Sequence, residues 1–521
     1  MKLPACLLLV TSAAAFADVR LPAIVSDNMV LLQDTKANVW GWADPGEKVT
    51  VKLGDKSAQG AADESGHWSV KLTELKPGVA GDMTIKGKNT LTVKNVAVGE
   101  VWLASGQSNM EFALNKAKDA EKEMAASDFP DIRVFTVTRK GSAKPLDDVT
   151  GKWEVSSPQT CGHFTAVGYF FVRELHQKLK VPIGLIHSSW GGTPVETWIP
   201  DSGMKSNPAF GNHWKEKLEQ YPKAKEKYDE EMKKFSVASE QAKAEGKPAP
   251  KAPRAPDGPE SFMAAPTGLF NGMIAPLAPY TIRGAIWYQG ESNCGFKNRG
   301  SMTLYGQLFP TMILAWRYEF ARAQDVPREE SEFPFLFVQL ANYFPRRDTP
   351  TDSYWAQIRE AQFGTLEVPR TGMAVAIDVG EADDIHPTNK QEVGRRLALS
   401  ALAQVYFQET EFSGPLYAGM QVEDGKIRLS FTNSEGMKSR DGGALKGFAI
   451  AGEDKKFVWA AAVIEGDHVV VGSPQVKDPV AIRYDWADNP DGNLVNGAGL
   501  PASPFRSDDW TQNPPEGSAG N

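Results

Sequence analysis

The chain has 521 residues, 41% hydrophobic and 23% charged, and its 57 basic against 65 acidic side chains leave a net charge of −8. That length suits two to four domains, and the composition excludes wholesale disorder, a collagen-like repeat and a disulfide-dense scaffold. No run of five or more basic residues provides a footprint for nucleic acid, and a mildly acidic chain disfavours an anionic membrane surface.

Residues 1–17 read as a cleavable signal peptide. Lys2 supplies the positive end, Leu7, Leu8, Leu9 and Val10 the apolar centre, and Ala15-Phe16-Ala17 the small-residue cleavage site. The apolar run is too short to span a bilayer, and no later stretch reaches about twenty apolar residues. The expectation is export, periplasmic or secreted, of a mature chain that keeps only Cys161 and Cys294. One disulfide is open to that pair, but two cysteines make no framework.

Residues 18–97 read as a small β domain. Alternating segments at 38–42, 48–52 and 67–71 are separated by turn residues such as Asp44-Pro45-Gly46 and Glu64-Ser65-Gly66. The pattern changes over 98–410. Five apolar runs, at 101–105, 183–188, 285–289, 335–340 and 373–378, are each followed by a helical pattern, clearest at 167–179, 304–323, 354–366 and 392–407. Strands without alternation, each succeeded by a helix, indicate a parallel sheet buried on both faces. Function in such sheets belongs to the loops beyond the carboxyl ends of the strands. An insertion at about 205–262 carries a Lys/Glu-rich helical pattern over 214–235, with Pro222 breaking the run, and then a Pro/Ala linker. It is expected to be a solvated surface feature. Residues 411–521 return to short alternating strands and form a second β domain.

The first parallel strand opens into Gly106-Gln107-Ser108-Asn109-Met110-Glu111. A serine at this turn presents its hydroxyl beside a helix N-terminus, which suits a nucleophile and equally an ordinary N-cap. A serine nucleophile needs a base. Of the seven histidines, His163 and His386 are the best placed, and His386 follows the last strand with Asp383 and Asp384 just upstream to orient its ring. A metal site on Glu381, Asp383, Asp384 and His386 is the weaker alternative, because no H-E-x-x-H or C-x-x-C spacing exists. Acyl transfer also needs donors for an oxyanion. The second run ends in Trp190-Gly191-Gly192-Thr193, and the third in Gln289-Gly290-Glu291-Ser292-Asn293, so glycine N–H groups and a Gln or Asn amide are available at strand ends.

Taken together, the stretch from Gly99 to Met110, Trp287-Tyr288-Gln289-Gly290-Glu291-Ser292-Asn293, Asp384-Ile385-His386-Pro387 and the stretch from Pro266 to Ile274 closely resemble the sialate O-acetylesterase family of SGNH hydrolases. The resemblance spans essentially the mature chain. It implies a flavodoxin-like α/β/α sandwich flanked by β-sandwich-like domains, and a serine carbohydrate esterase needing no cofactor or metal. It makes Ser108 the nucleophile, His386 the base and Asp383 the orienter, with Asp384 the alternative. For the oxyanion hole it implies the Ser108 and Gly192 amides and the Gln289 side chain, with Gly191 and Asn293 in reserve. The substrate it implies is an O-acetylated sugar, 9-O-acetylated sialic acid first. An acetylated plant polysaccharide such as xylan or xyloglucan is the alternative substrate. A non-catalytic carbohydrate-binding protein is the rival from another class, since 14 tryptophans would suit sugar stacking.

Overall fold

The computed structural model describes residues 18–294 and 299–512, so the signal peptide expected at 1–17 lies outside the described residues. Strand β1, Thr90–Gly106, is 17 residues long and belongs to two architectures at once. Its first half pairs antiparallel with Gly78–Lys86 and parallel with Val30–Leu32. Its second half enters a parallel sheet, so residues 97 and 98 lie within one continuous strand rather than at a linker.

Beyond β1 come the short helix α1 (Ser108–Glu111), β2 (Phe129–Thr136), β3 (Trp153–Ser156), α2 (Ala166–Leu179) and β4 (Ile183–Ser189). The insertion holds α3 (Asn212–Ala244). Then follow β5 (Gly284–Tyr288), α4 (Arg299–Gln324), β6 (Phe335–Gln339), α5 (Tyr354–Gly364), β7 (Thr371–Val375) and α6 (Lys390–Gln404). The strands lie in the order β7-β6-β5-β1-β4-β2-β3, all parallel except the last pair.

Numbered among themselves, the five apolar runs are β1, β4, β5, β6 and β7. They stand in the order 2-1-3-4-5, a doubly wound sheet whose direction of growth reverses beside β1. The edge pair β2–β3 was not among those runs. Every residue of β5 and β6 is buried, as a sheet covered on both faces requires. Helices α2 and α6 pack together as one covering layer, and α4 and α5 as another.

One difference from the sequence reading concerns Pro222. It does not end its helix: α3 runs 33 residues straight through it and buries none of them. Proline removes one N–H and clashes with the carbonyl four residues back. On a helix this exposed, that carbonyl can be solvated instead.

The apolar core is continuous from Val19 to Leu402, joining the N-terminal strands to the parallel sheet, whereas residues from Ile427 to Phe505 form a separate core. That second core lies among antiparallel strands, chiefly Leu416–Glu423, Lys426–Thr432, His468–Gly472 and Ala461–Glu465 in one sheet. Phe448–Ala451 and Ala481–Tyr484 pair in another. Cys161 and Cys294 are both buried and free, so no disulfide joins them.

Candidate active site

The turn between β1 and α1 is shaped by Gly106. Its φ is +136°, and a Cβ there would sit 2.2 Å from the Tyr288 carbonyl oxygen of β5. Only glycine permits both the backbone angle and the approach. The Gln107 N–H then donates to that same carbonyl at 3.0 Å, and the Gln107 side-chain oxygen accepts from the Ser292 N–H at 3.1 Å. Ser108 is thereby held, partly exposed, at the first position of α1.

His386 meets it from the loop between β7 and α6. Its Nε2 lies 2.9 Å from Ser108 Oγ. Glu381 closes that loop by accepting from the Thr388 N–H at 2.8 Å and its hydroxyl at 2.9 Å. Asp384 accepts the His386 backbone N–H at 2.8 Å, and the same carboxylate oxygen stands 3.5 Å from ring Nδ1. Asp383, the first choice from sequence, makes no such contact; both aspartates are exposed, and only Asp384 reaches His386. Burial holds the His386 imidazolium below its ordinary pKa, partly offset by Asp384. A neutral ring with a free Nε2 lone pair is what a proton acceptor at neutral pH requires. His163, the other histidine considered, pairs with Glu154 at 2.7 Å instead.

The strand-end donors are sorted by what already engages them. The Gly191 N–H donates to Glu111 Oε2 at 3.0 Å, and Arg139 pairs with the other oxygen of that carboxylate. A Cβ on Gly191 would come within 3.0 Å of Ser108 Cβ, so this turn abuts the serine directly. Gly192 follows with φ +75°, and among the described residues neither its N–H nor that of Ser108 has a hydrogen-bond partner.

Gln289 does not occupy the position sequence reasoning gave it. Its amide donates to the Thr193 carbonyl at 3.2 Å and to Asn293 Oδ1 at 2.6 Å, and its oxygen accepts from Tyr305 at 3.0 Å. Both amide hydrogens are engaged and the residue is fully buried. Asn293 is likewise buried, donating to Glu196 Oε2 at 2.9 Å and accepting from the Val195 N–H at 2.8 Å. Both amides brace the turn after β4 from behind.

Sequence reasoning missed the polar layer under the serine. Asn109 donates to Glu291 and, at 3.0 Å, to the carbonyl of Ile385, the residue before His386. Its own oxygen accepts from Lys390, which is wholly buried and stacks over Phe112 at 4.9 Å and Tyr288 at 5.4 Å. Burial pushes the Lys390 ammonium down to about 7 and the Glu291 carboxyl up. Asn109 and Glu291 stood inside the recognised motifs, but nothing distinguished Lys390 from a solvated lysine in a helix's first turn.

The sequence matches the family described as "Carbohydrate esterase, sialic acid-specific acetylesterase" over residues 98–246 and 264–403. The chain belongs to that family. It is 32% identical to the sialate O-acetylesterase of Mus musculus over 509 residues, 89% of each chain. It is also 32% identical to that of Homo sapiens over 447 residues, covering 79% of this chain and 76% of the human one. Among solved structures, a carbohydrate acetylesterase from Xanthomonas citri superposes with a TM-score of 0.79 at 37% identity, over 95% of this chain and 100% of that one. The protein is a carbohydrate esterase, and its substrates are accordingly acetylated sugars. No helix among the described residues is long and apolar enough to cross a membrane.

Proposed function

We propose that the esterase is exported and removes O-acetyl groups from sugars, 9-O-acetylated sialic acids first, through an acetyl-Ser108 intermediate. The observation that carries the mechanism is the 2.9 Å contact between His386 Nε2 and Ser108 Oγ. Ser108 Oγ attacks the acetyl carbonyl as its proton passes to Nε2. The Asp384 carboxylate, on the Nδ1 side, steadies the imidazolium that forms. The tetrahedral oxygen collects its charge against the Ser108 and Gly192 N–H groups, and losing one such donor typically costs about 3–4 kcal/mol of transition-state stabilisation. The imidazolium then protonates the leaving sugar oxygen. Water, deprotonated by the same nitrogen, attacks acetyl-Ser108; acetate leaves and the serine is restored.

Support for the sialate substrate comes from the family and from the mammalian relatives. The Xanthomonas citri relative is described as a carbohydrate acetylesterase with no sugar named, so acetylated plant polysaccharide stays as the second reading. Acetate release should be measured from 9-O-acetylated sialic acid and acetylated xylo-oligosaccharides, wild type beside Ser108→Ala and His386→Ala. Each variant should lose on the order of 10⁴-fold or more in turnover. Near-normal turnover in either folded variant would remove it from the mechanism, and the better substrate names the preference.

A further inference from the structure

A second concave site lies on the strand-end face, between the loop after β6 and the C-terminal β domain. It encloses about 240 Å³, and Arg346, Arg347, Trp459, Asp485, Trp486 and Asn489 are among its lining residues. Trp459 is 45% exposed, unusual for so large an apolar side chain, yet it is fixed in place by its Nε1 donating to the Asp348 carbonyl at 2.7 Å. An aromatic face that is both exposed and immobilised is a stacking platform. Around it stand groups that suit vicinal hydroxyls. Arg347 makes no hydrogen bond or salt bridge among the described residues, while Arg346 reaches Asp491 at 3.5 Å.

The lining is not cationic. Asp348 and Asp491 share it with the two arginines, so a carboxylated sugar meets as much repulsion as attraction.

The site is coupled to the catalytic loop through hydrogen bonds from main-chain N–H groups. The Tyr343 N–H donates to the Asp488 carbonyl at 3.2 Å, the Phe344 N–H to Ala382 at 3.1 Å, and the Gly380 N–H to Asn342 Oδ1 at 2.7 Å. Residues 342–344 therefore stand between the C-terminal domain and the loop that carries His386. Strand β6 is two places along the sheet from β1, whose end presents Ser108.

We propose that the pocket at Trp459 and Arg347 holds an uncharged sugar unit of the glycan, away from the acetylated unit at Ser108. The proposal rests on the esterase reading above for its consequence in catalysis, but not for binding itself. Its test uses the full chain and the variants Trp459→Ala, Trp459→Phe and Arg347→Ala. On acetylated oligosaccharides Trp459→Ala should raise KM about three- to tenfold. Trp459→Phe should largely rescue it, and the rate on 4-nitrophenyl acetate should be unchanged. Unchanged oligosaccharide kinetics, or equal losses on both substrates, would overturn the proposal. Calorimetry with unacetylated neutral oligosaccharides on Ser108→Ala, with and without Trp459→Ala or Arg347→Ala, separates the two readings. Binding that needs Trp459 and Arg347 supports the pocket even if no acetate is ever released. Absent binding, or tighter binding of a carboxylated oligosaccharide, overturns it.

Discussion

His386 works against two opposing influences, and their balance is measurable. Burial lowers its pKa, the dominant effect, while Asp384 raises it and Lys390 lowers it again. In the proposed mechanism the ring must be neutral to accept the serine proton. The acid limb of kcat/KM should therefore fall below the ordinary imidazole value of about 6.5. Replacing Asp384 by Asn removes the group that favours the imidazolium, so the limb should move further down in pH while the rate drops. Asp383→Asn should leave both profile and rate near wild type. The reverse pattern in a pH–rate series would give the orienting role back to Asp383. Sequence could narrow this choice to two adjacent carboxylates but not decide it, because adjacency in a loop says nothing about which side chain lies against the ring.

At the scale of the element, the β1–α1 turn depends on a contact between strands. Gly106→Ala would need a φ near +136° and would drive a Cβ into the Tyr288 carbonyl. The expected cost is about 1–3 kcal/mol from the backbone conformation alone, with the clash added. Thermal unfolding should show a lower Tm, and residual activity should fall further than stability because Ser108 is displaced. A variant with unchanged Tm and turnover would show that the turn tolerates what its geometry forbids. Strands and helices at this scale were largely legible, since runs buried on both faces leave an unbroken apolar signature. The edge pair β2–β3 was not, because β3 has only four residues and β2 mixes Pro130, Asp131 and Arg133 among its apolar positions. The role of Gln289 was misread for a related reason: an amide at a strand end can serve the substrate or the neighbouring turn, and here Thr193 and Asn293 take both of its hydrogens.

Across the whole molecule, stability is distributed unevenly. Helix α3 buries nothing, and Lys251 and Arg254 in the segment after it are exposed, each followed by alanine or, for Lys251, directly by Ala252. Trypsin should nick the native protein there first. The fragments should remain together and active, since β4 lies before the nick and β5 after it, on either side of β1 in one sheet. Gel filtration and acetate release after limited digestion test this, and dissociation or inactivation upon that single cut would contradict it. The separate C-terminal core, by contrast, is joined to the catalytic face through Arg359. That side chain is wholly buried and donates to the carbonyls of Leu340 and Ala341 on one side and Ala487 and Asp488 on the other.

Local sequence sufficed for the parallel strands, the serine at the first strand end and the histidine after the last. Residue type and local pattern carry those signals: apolar runs for doubly covered strands, a turn before a helix for an exposed hydroxyl, and motif stretches for the family. The three-dimensional arrangement settled which N–H groups beside Ser108 stay unpaired among the described residues, which aspartate lies against His386, and that Lys390 is buried against Asn109. It also decided that a loop from one domain and an indole from another enclose a second cavity. Each of these depends on distances between residues remote in the chain and on competition among partners for the same hydrogen bonds, and neither quantity is written in local sequence.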